Sequence, residues 1–177
     1  MKLNQRIMKK VSIIISLLLV TVSISLAQTD QTTLIKTGSK APSFVCTTID
    51  GKTVDISKSQ GKIIMINFFA TWCGPCNTEL PVLQKNIWEK YRDRSDFILI
   101  ILGREHTKEQ VKAFVESKKF TMPFAPDPDR KIFSLYATQN IPRNVIIGKD
   151  GNILFQSTGY DEKEFKELET LLSRELK

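Results

Sequence analysis

Two apolar stretches constrain the fold of this 177-residue chain more than any other feature. Ile63 to Phe69 (IIMINFF) and Phe97 to Leu102 (FILIIL) carry no charge and do not alternate with polar residues. A strand with one wet face alternates. An unbroken run rich in β-branched residues belongs to a strand covered on both faces, as in parallel sheets sandwiched between helices. The intervening segment has the spacing of a helix from Cys73, with Leu80, Leu83, Ile87 and Tyr91 on one face. Pro81 lies inside it and predicts a kink.

The remaining elements fall into place around these strands. Thr107 and Gln110 form a capping box that starts a helix with Val111, Phe114 and Val115 facing inward. TMPFAPDPD predicts a short strand and turn, and Asp129 to Tyr136 a short helix. NVIIGKDGNILFQSTG predicts a hairpin around Asp150-Gly151. Asp161, with Glu164 three residues later, caps a last helix that turns Phe165, Leu168, Leu172 and Leu176 inward. Ahead of all these, APSFVCTTIDGKTVDIS predicts another hairpin, turning at Asp50-Gly51. The expected fold class is a mixed α/β sheet flanked by helices, with parallel strands in the middle and antiparallel ones added by the closing hairpin.

The first 27 residues stand apart. Lys2, Arg6, Lys9 and Lys10 precede an apolar run from Val11 to Leu26, and Ser25-Leu26-Ala27 supplies small residues suited to signal peptidase. The expectation is a signal peptide over 1–27, with an uncleaved N-terminal anchor as the competitor, and a flexible lead-in over 28–39. Either way the folded part lies outside the cytoplasm, in the periplasm or on the outer face of the membrane. The chain's net charge is +7, but without those four cations 22 basic and 19 acidic side chains remain, a net +3. That mild excess is interspersed with acids and gives no support for nucleic-acid binding. The apolar share of 41% fits a single soluble domain able to bury a core without disulfide staples.

Trp72-Cys73-Gly74-Pro75-Cys76 sits where the first buried strand hands over to its helix. Residues i and i+3 of a first helical turn bring their Cα atoms within about 5 Å, inside disulfide range. Pro75 is tolerated there because first-turn amides have no partner to lose. Cys73 at the helix N-terminus is exposed to free N–H groups and the helix dipole, which favour a thiolate, whereas Cys76 lies one turn in. Three uses are open: a redox-active pair, a structural disulfide, or a metal clamp. A staple across two residues constrains the unfolded chain little, and zinc would need ligands beyond the single further cysteine and His106. Redox chemistry is therefore the favoured reading, with Cys73 attacking and Cys76 resolving.

ATWCGPC after a buried strand, with Ile141-Pro142 far downstream, resembles the thioredoxin superfamily. The N-terminal β-hairpin and a central helix–strand insertion between FILIIL and Asp129 are similar to its TlpA/ResA-like branch of exported or membrane-anchored thiol–disulfide oxidoreductases. The resemblance spans residues 40 to 177 and implies a thioredoxin-like domain there. It implies that Cys73 is the exposed nucleophile and Cys76 the buried resolving thiol, with their disulfide as the only redox group and no metal. It makes Pro142 the cis-proline facing them, so that Ile141 offers its backbone to a bound peptide. Trp72, Gly74 and Pro75 would complete the substrate surface. Asn67 stands where thioredoxin has a buried aspartate and cannot relay a proton. Glu79 matches the branch's glutamate and would exchange protons with the cysteines.

The function implied is reduction of protein disulfides, with apocytochrome c as a possible client, a membrane thiol–electron donor as the source of electrons, and a monomeric protein. An oxidase or isomerase is the alternative direction, and a C-x-x-C metal carrier a more distant one. A peroxidase lacks its Pro-x-x-x-Thr-x-x-Cys context. Cys46 is expected to be a buried small hydrophobe and His106 a loop residue without a partner. For Arg143, recognition of acidic partners and a solvated rim position are both open.

Overall fold

The structure is a computed structural model and describes residues 30–177, so the expected leader over 1–27 lies outside the described residues. Two antiparallel strands, β1 (Val45–Thr47) and β2 (Thr53–Asp55), form the N-terminal hairpin. The main sheet contains β3 (Ile63–Phe69), β4 (Phe97–Arg104), β5 (Phe124–Asp127), β6 (Arg143–Ile147) and β7 (Ile153–Thr158), in the order β5-β4-β3-β6-β7. β3, β4 and β5 are parallel, and β6 and β7 are antiparallel additions at the other edge. Every residue of β3 is buried, as its unbroken apolar run requires.

The two-residue period of β3 separates the core into two halves. Ile63, Met65 and Phe69 face a cluster that includes Leu80, Leu83, Ile87, Val111, Phe114, Phe165, Leu168 and Leu172. These come from α1 (Gly74–Leu83, prolonged by a π turn Gln84–Trp88 and a last turn Glu89–Tyr91), α2 (Lys108–Lys118) and α4 (Glu162–Glu175). Ile64, Ile66 and Phe68 face the opposite cluster, where Phe44, Cys46, Phe133 and Tyr136 pack from the hairpin and from α3 (Phe133–Tyr136). The alternation that places Asn67 on the α1 side of the sheet becomes decisive at the site. Among the described residues no helix is long and apolar enough to cross a membrane.

Pro81 lies inside α1 as expected, and the ladder widens into the π turn at Gln84–Trp88 just beyond it. Two local expectations are corrected. The helix expected from Asp129 begins only at Phe133. Arg130 adopts a left-handed φ of 57°, and the Asp127 carboxylate accepts the Ile132 and Phe133 amides, which delays the helix start. The described part of the lead-in, from Asp30, is not loose. Thr33 pairs with Ala137, the Leu34 amide donates to the Tyr136 carbonyl, and the Thr138 amide returns the bond to Thr32. These bonds make residues 30–34 a strap along the chain that leads into Pro142.

Candidate active site

Cys73 is the N-cap of α1 and is disulfide-bonded to Cys76, with Cα atoms 5.3 Å apart. The Cys76 amide donates to Cys73 Sγ at 3.2 Å, so the free N–H groups of the first turn already point at the sulfur that would carry charge. Cys76 is fully buried, and Cys73, expected to be exposed, keeps only 5% of its surface. Exposed Trp72, Gly74 and Pro75 surround it. The Ile141–Pro142 bond is cis, and the Ile141 carbonyl oxygen lies 3.8 Å from Cys73 Sγ. Pro142 has its own carbonyl engaged by the Gly159 amide, which fixes the loop from behind.

The turn before Cys73 is held by two side chains the sequence did not single out for this role. Asn77 Nδ2 donates to the carbonyls of Thr71 and Cys73. His106, expected to be an unpartnered loop residue, is buried, and its Nε2 accepts the Thr71 amide at 2.8 Å. Its Nδ1 lies 3.1 Å from the Glu105 carbonyl, which can only accept, so Nδ1 carries the proton and the ring is neutral. Burial, against the pull of the Glu105 carbonyl, lowers the His106 pKa and favours that state.

Glu79 is 1% exposed, one helical turn beyond Cys76. Asn67 Nδ2 donates to one carboxylate oxygen at 3.0 Å and Asn144 Nδ2 to the other. Asn67 also donates to Asn144 Oδ1 at 2.9 Å, and Asn144 to Ser157 Oγ. Burial raises the Glu79 pKa to about 7, with the two amides pulling the other way. Asn67 therefore has a definite partner even though it cannot relay a proton. Asn144 escaped notice in the sequence, although an amide inside the apolar IPRNVII run was a usable signal.

Arg143 corrects both of its expected readings, since it neither greets a partner nor lies on a wet rim. It is 2% exposed, with Nε donating to the carbonyls of Gln139 and Asn140 and Nη2 bonded to Asp30. Cys46 is buried on the far side of the sheet, and burial pushes its thiol up to about 11. Among the described residues no three His, Cys, Asp or Glu side chains gather where they could hold a metal ion.

A central sheet that seats a closable cysteine pair on a helix N-terminus, opposite a cis-proline, is the architecture of thioredoxin-type dithiol–disulfide proteins. The chain matches the Redoxin family over residues 36–172. It is 35% identical over 127 residues to the thiol-disulfide oxidoreductase ResA of Bacillus thuringiensis (strain Al Hakam), covering 72% of each chain. It is 30% identical over 125 residues to ResA of Bacillus subtilis (strain 168), covering 71% of this chain and 69% of that one. The solution structure of a candidate protein disulfide isomerase from Bacteroides thetaiotaomicron superposes with a TM-score of 0.79 at 39% identity, over 82% of this chain and 92% of that one. StoA from Bacillus subtilis shares the fold, with a TM-score of 0.61 at 23% identity over 73% of this chain and 96% of that one.

The chain belongs to the Redoxin family and, within it, to the ResA/TlpA-like thiol–disulfide oxidoreductases. It is an enzyme of that type, working through the Cys73–Cys76 dithiol–disulfide centre.

Proposed function

We propose that the protein is an exported reductant of protein disulfides. The observation that carries the direction is the Ile141 carbonyl 3.8 Å from Cys73 Sγ. A thiolate at Cys73 gains the Cys76 amide and the helix N-terminus but faces that carbonyl oxygen, and Glu79 lies one turn past Cys76. Strong disulfide oxidants owe their potential to a well-stabilised reduced form. Here the surroundings of the thiolate are mixed in sign, unlike the uniformly stabilised thiolate of such an oxidant, and the Gly74-Pro75 pair between the cysteines resembles that of thioredoxin, a reductant.

In the proposed cycle the Cys73 thiolate attacks a client disulfide, forming a mixed disulfide and releasing one client thiolate, which takes up a proton. Cys76 then loses its proton to the Glu79 carboxylate and attacks Cys73 Sγ. The second client thiolate leaves, and two electrons have passed from the dithiol to the client. A carboxyl with a pKa of about 7 is half ionised at neutral pH and serves such a transfer in either direction. Ile141 offers backbone on which an extended client segment can lie, and Trp72, Gly74 and Pro75 form the exposed rim. The basic and apolar pattern of residues 1–27 supports export, and the TlpA/ResA resemblance supports apocytochrome c as client and a membrane thiol donor as the electron source.

Equilibration with a defined thiol–disulfide buffer tests the direction. A potential near the roughly −270 mV of thioredoxin is expected, and one near the roughly −120 mV of the strong periplasmic oxidants would reverse the reading. A second reading, isomerisation, draws on the 39% identity to the candidate isomerase of Bacteroides thetaiotaomicron. Repair of a scrambled-disulfide substrate by a Cys76→Ser protein would favour it.

A further inference from the structure

Beside the nucleophile lies a cleft of about 520 Å³, bounded by Trp72 and Ile141 and floored by Arg104 and Arg130. Arg104 closes β4 and Arg130 occupies the turn after β5, so two distant segments bring their guanidinium groups to one place. Both groups lie against the Phe133 ring, at 5.1 and 5.2 Å from its centroid, and Arg104 also approaches the Trp72 ring. Among the described residues a single carboxylate, that of half-exposed Glu105, bridges them, at 3.1 Å from Arg104 and 3.3 Å from Arg130. Arg130 also donates to the Thr138 carbonyl. Both Nε atoms are buried and have no partner among the described residues. Two cations thus share one anion, and the Arg104 side chain is only 12% exposed.

The backbone around this cleft is held in a costly conformation. Glu105, Arg130 and Asn140 have φ values of 63°, 57° and 66° and are three of the four non-glycine residues in the left-handed region among the described residues. The fourth, Lys119, simply caps α2. Conformations of this kind persist where the surroundings enforce them, commonly at ligand sites.

We propose that this cleft is an anion subsite that reads an acidic side chain of the client polypeptide close to its reacting cysteine. The assignment rests on the reductase reading and names the client feature that reading leaves open. Trp72 immediately precedes the nucleophile, and Ile141 supplies both a wall of the cleft and the carbonyl nearest Cys73 Sγ. A client lying along Ile141 therefore passes the arginines within a residue or two of its cysteine, at about 3.3 Å per residue. A planar carboxylate suits the paired N–H edges of a guanidinium, and burial against aromatic rings strengthens the pairing.

The test uses the reduced wild-type protein and two peptides, each closed by one disulfide, that differ only in glutamate or glutamine beside each cysteine. The glutamate peptide is expected to be reduced about tenfold faster at low ionic strength, as one charge-assisted contact allows. The difference should shrink in 1 M sodium chloride, where screening acts over about 3 Å. A double variant, R104Q with R130Q, should bring the two peptides within about twofold of each other. Equal rates with the wild-type protein, or a preference that survives in the double variant, overturn the subsite while leaving the reductase reading standing. Reduction of neither peptide overturns the reductase reading and the subsite with it. Faster reaction with glutathione disulfide than with the glutamate peptide would assign the carboxylate to a small disulfide and overturn the polypeptide reading.

Discussion

Arg143 and Asp30 meet at 2.5 Å although 113 positions separate them in sequence. The same guanidinium holds the Gln139 and Asn140 carbonyls, so one buried cation joins the N-terminal strap to the loop that carries Pro142. The Asp30 carboxyl is held well below the usual carboxylate range, first by the Thr32 hydroxyl and then by the Thr32 amide, Arg143 and Thr158, against the cost of burial. A depressed carboxyl contributes its stability above the unfolded-state pKa and loses it as pH falls through the folded one. Asp30→Asn is expected to cost about 2–3 kcal/mol at pH 7, because it leaves a buried guanidinium short of its counter-ion while one side stays open to water. Urea unfolding at pH 7 and pH 3 checks both points, since the loss should be smaller at the lower pH.

Glu79 has the opposite sign. Burial raises its pKa from 4.5 to about 7, so the folded state holds a proton that the unfolded state has already released across that interval. Stability therefore falls as pH rises from about 4.5 to 7, by on the order of 3 kcal/mol from this group. Glu79→Gln should flatten that limb in denaturant titrations. It should also remove the ionisation near pH 7 from the pH profile of thiol–disulfide exchange. A profile unchanged by the substitution would end the proton-transfer role.

His106 keeps Thr71 in place through a nitrogen that accepts only while the ring is neutral. Its lowered pKa means that its contribution is present above the unfolded-state value of 6.5 and lost as pH falls through the lower folded value. His106→Ala should cost about 1–3 kcal/mol by orphaning a backbone donor. It should also slow the attack by Cys73 on client disulfides, since the turn before the nucleophile loses its hold. Chemical unfolding and single-turnover kinetics measure the two effects separately.

Cys46 should be inert. With its thiol pushed up to about 11 and its side chain buried, the oxidised native protein should take up no iodoacetamide at pH 8. Unfolding in denaturant should expose one alkylatable thiol per chain, counted by mass.

Much of this architecture was legible because its causes are local. The unbroken run at Ile63 to Phe69, the Thr107–Gln110 box and the Asp150-Gly151 turn each express a preference of neighbouring residues, and each forms as expected. The cysteine pair was legible for the same reason, its spacing being a property of one helical turn. What escaped was long-range pairing between side chains. Nothing near Arg143 announces Asp30, nothing near His106 announces Thr71, and Asn144 meets Glu79 only once β6 lies beside β3. The helix expected from Asp129 starts only at Phe133 for a related reason. The carboxylate that postpones it belongs to Asp127, whose reach across five and six residues cannot be read from propensity.

The strap has a practical corollary for anyone handling the protein. Fusions, surface attachments and affinity tags placed shortly before Asp30 would pull on the same cation that holds the Gln139 and Asn140 carbonyls ahead of Pro142. The other terminus is mechanically remote. Lys177 shares a groove with Tyr91, at the end of α1 farthest from Cys73, some 25 Å away by helical rise. A label or tether attached there leaves the mouth of the enzyme free, whereas the same appendage at the front of the domain becomes part of its mechanics.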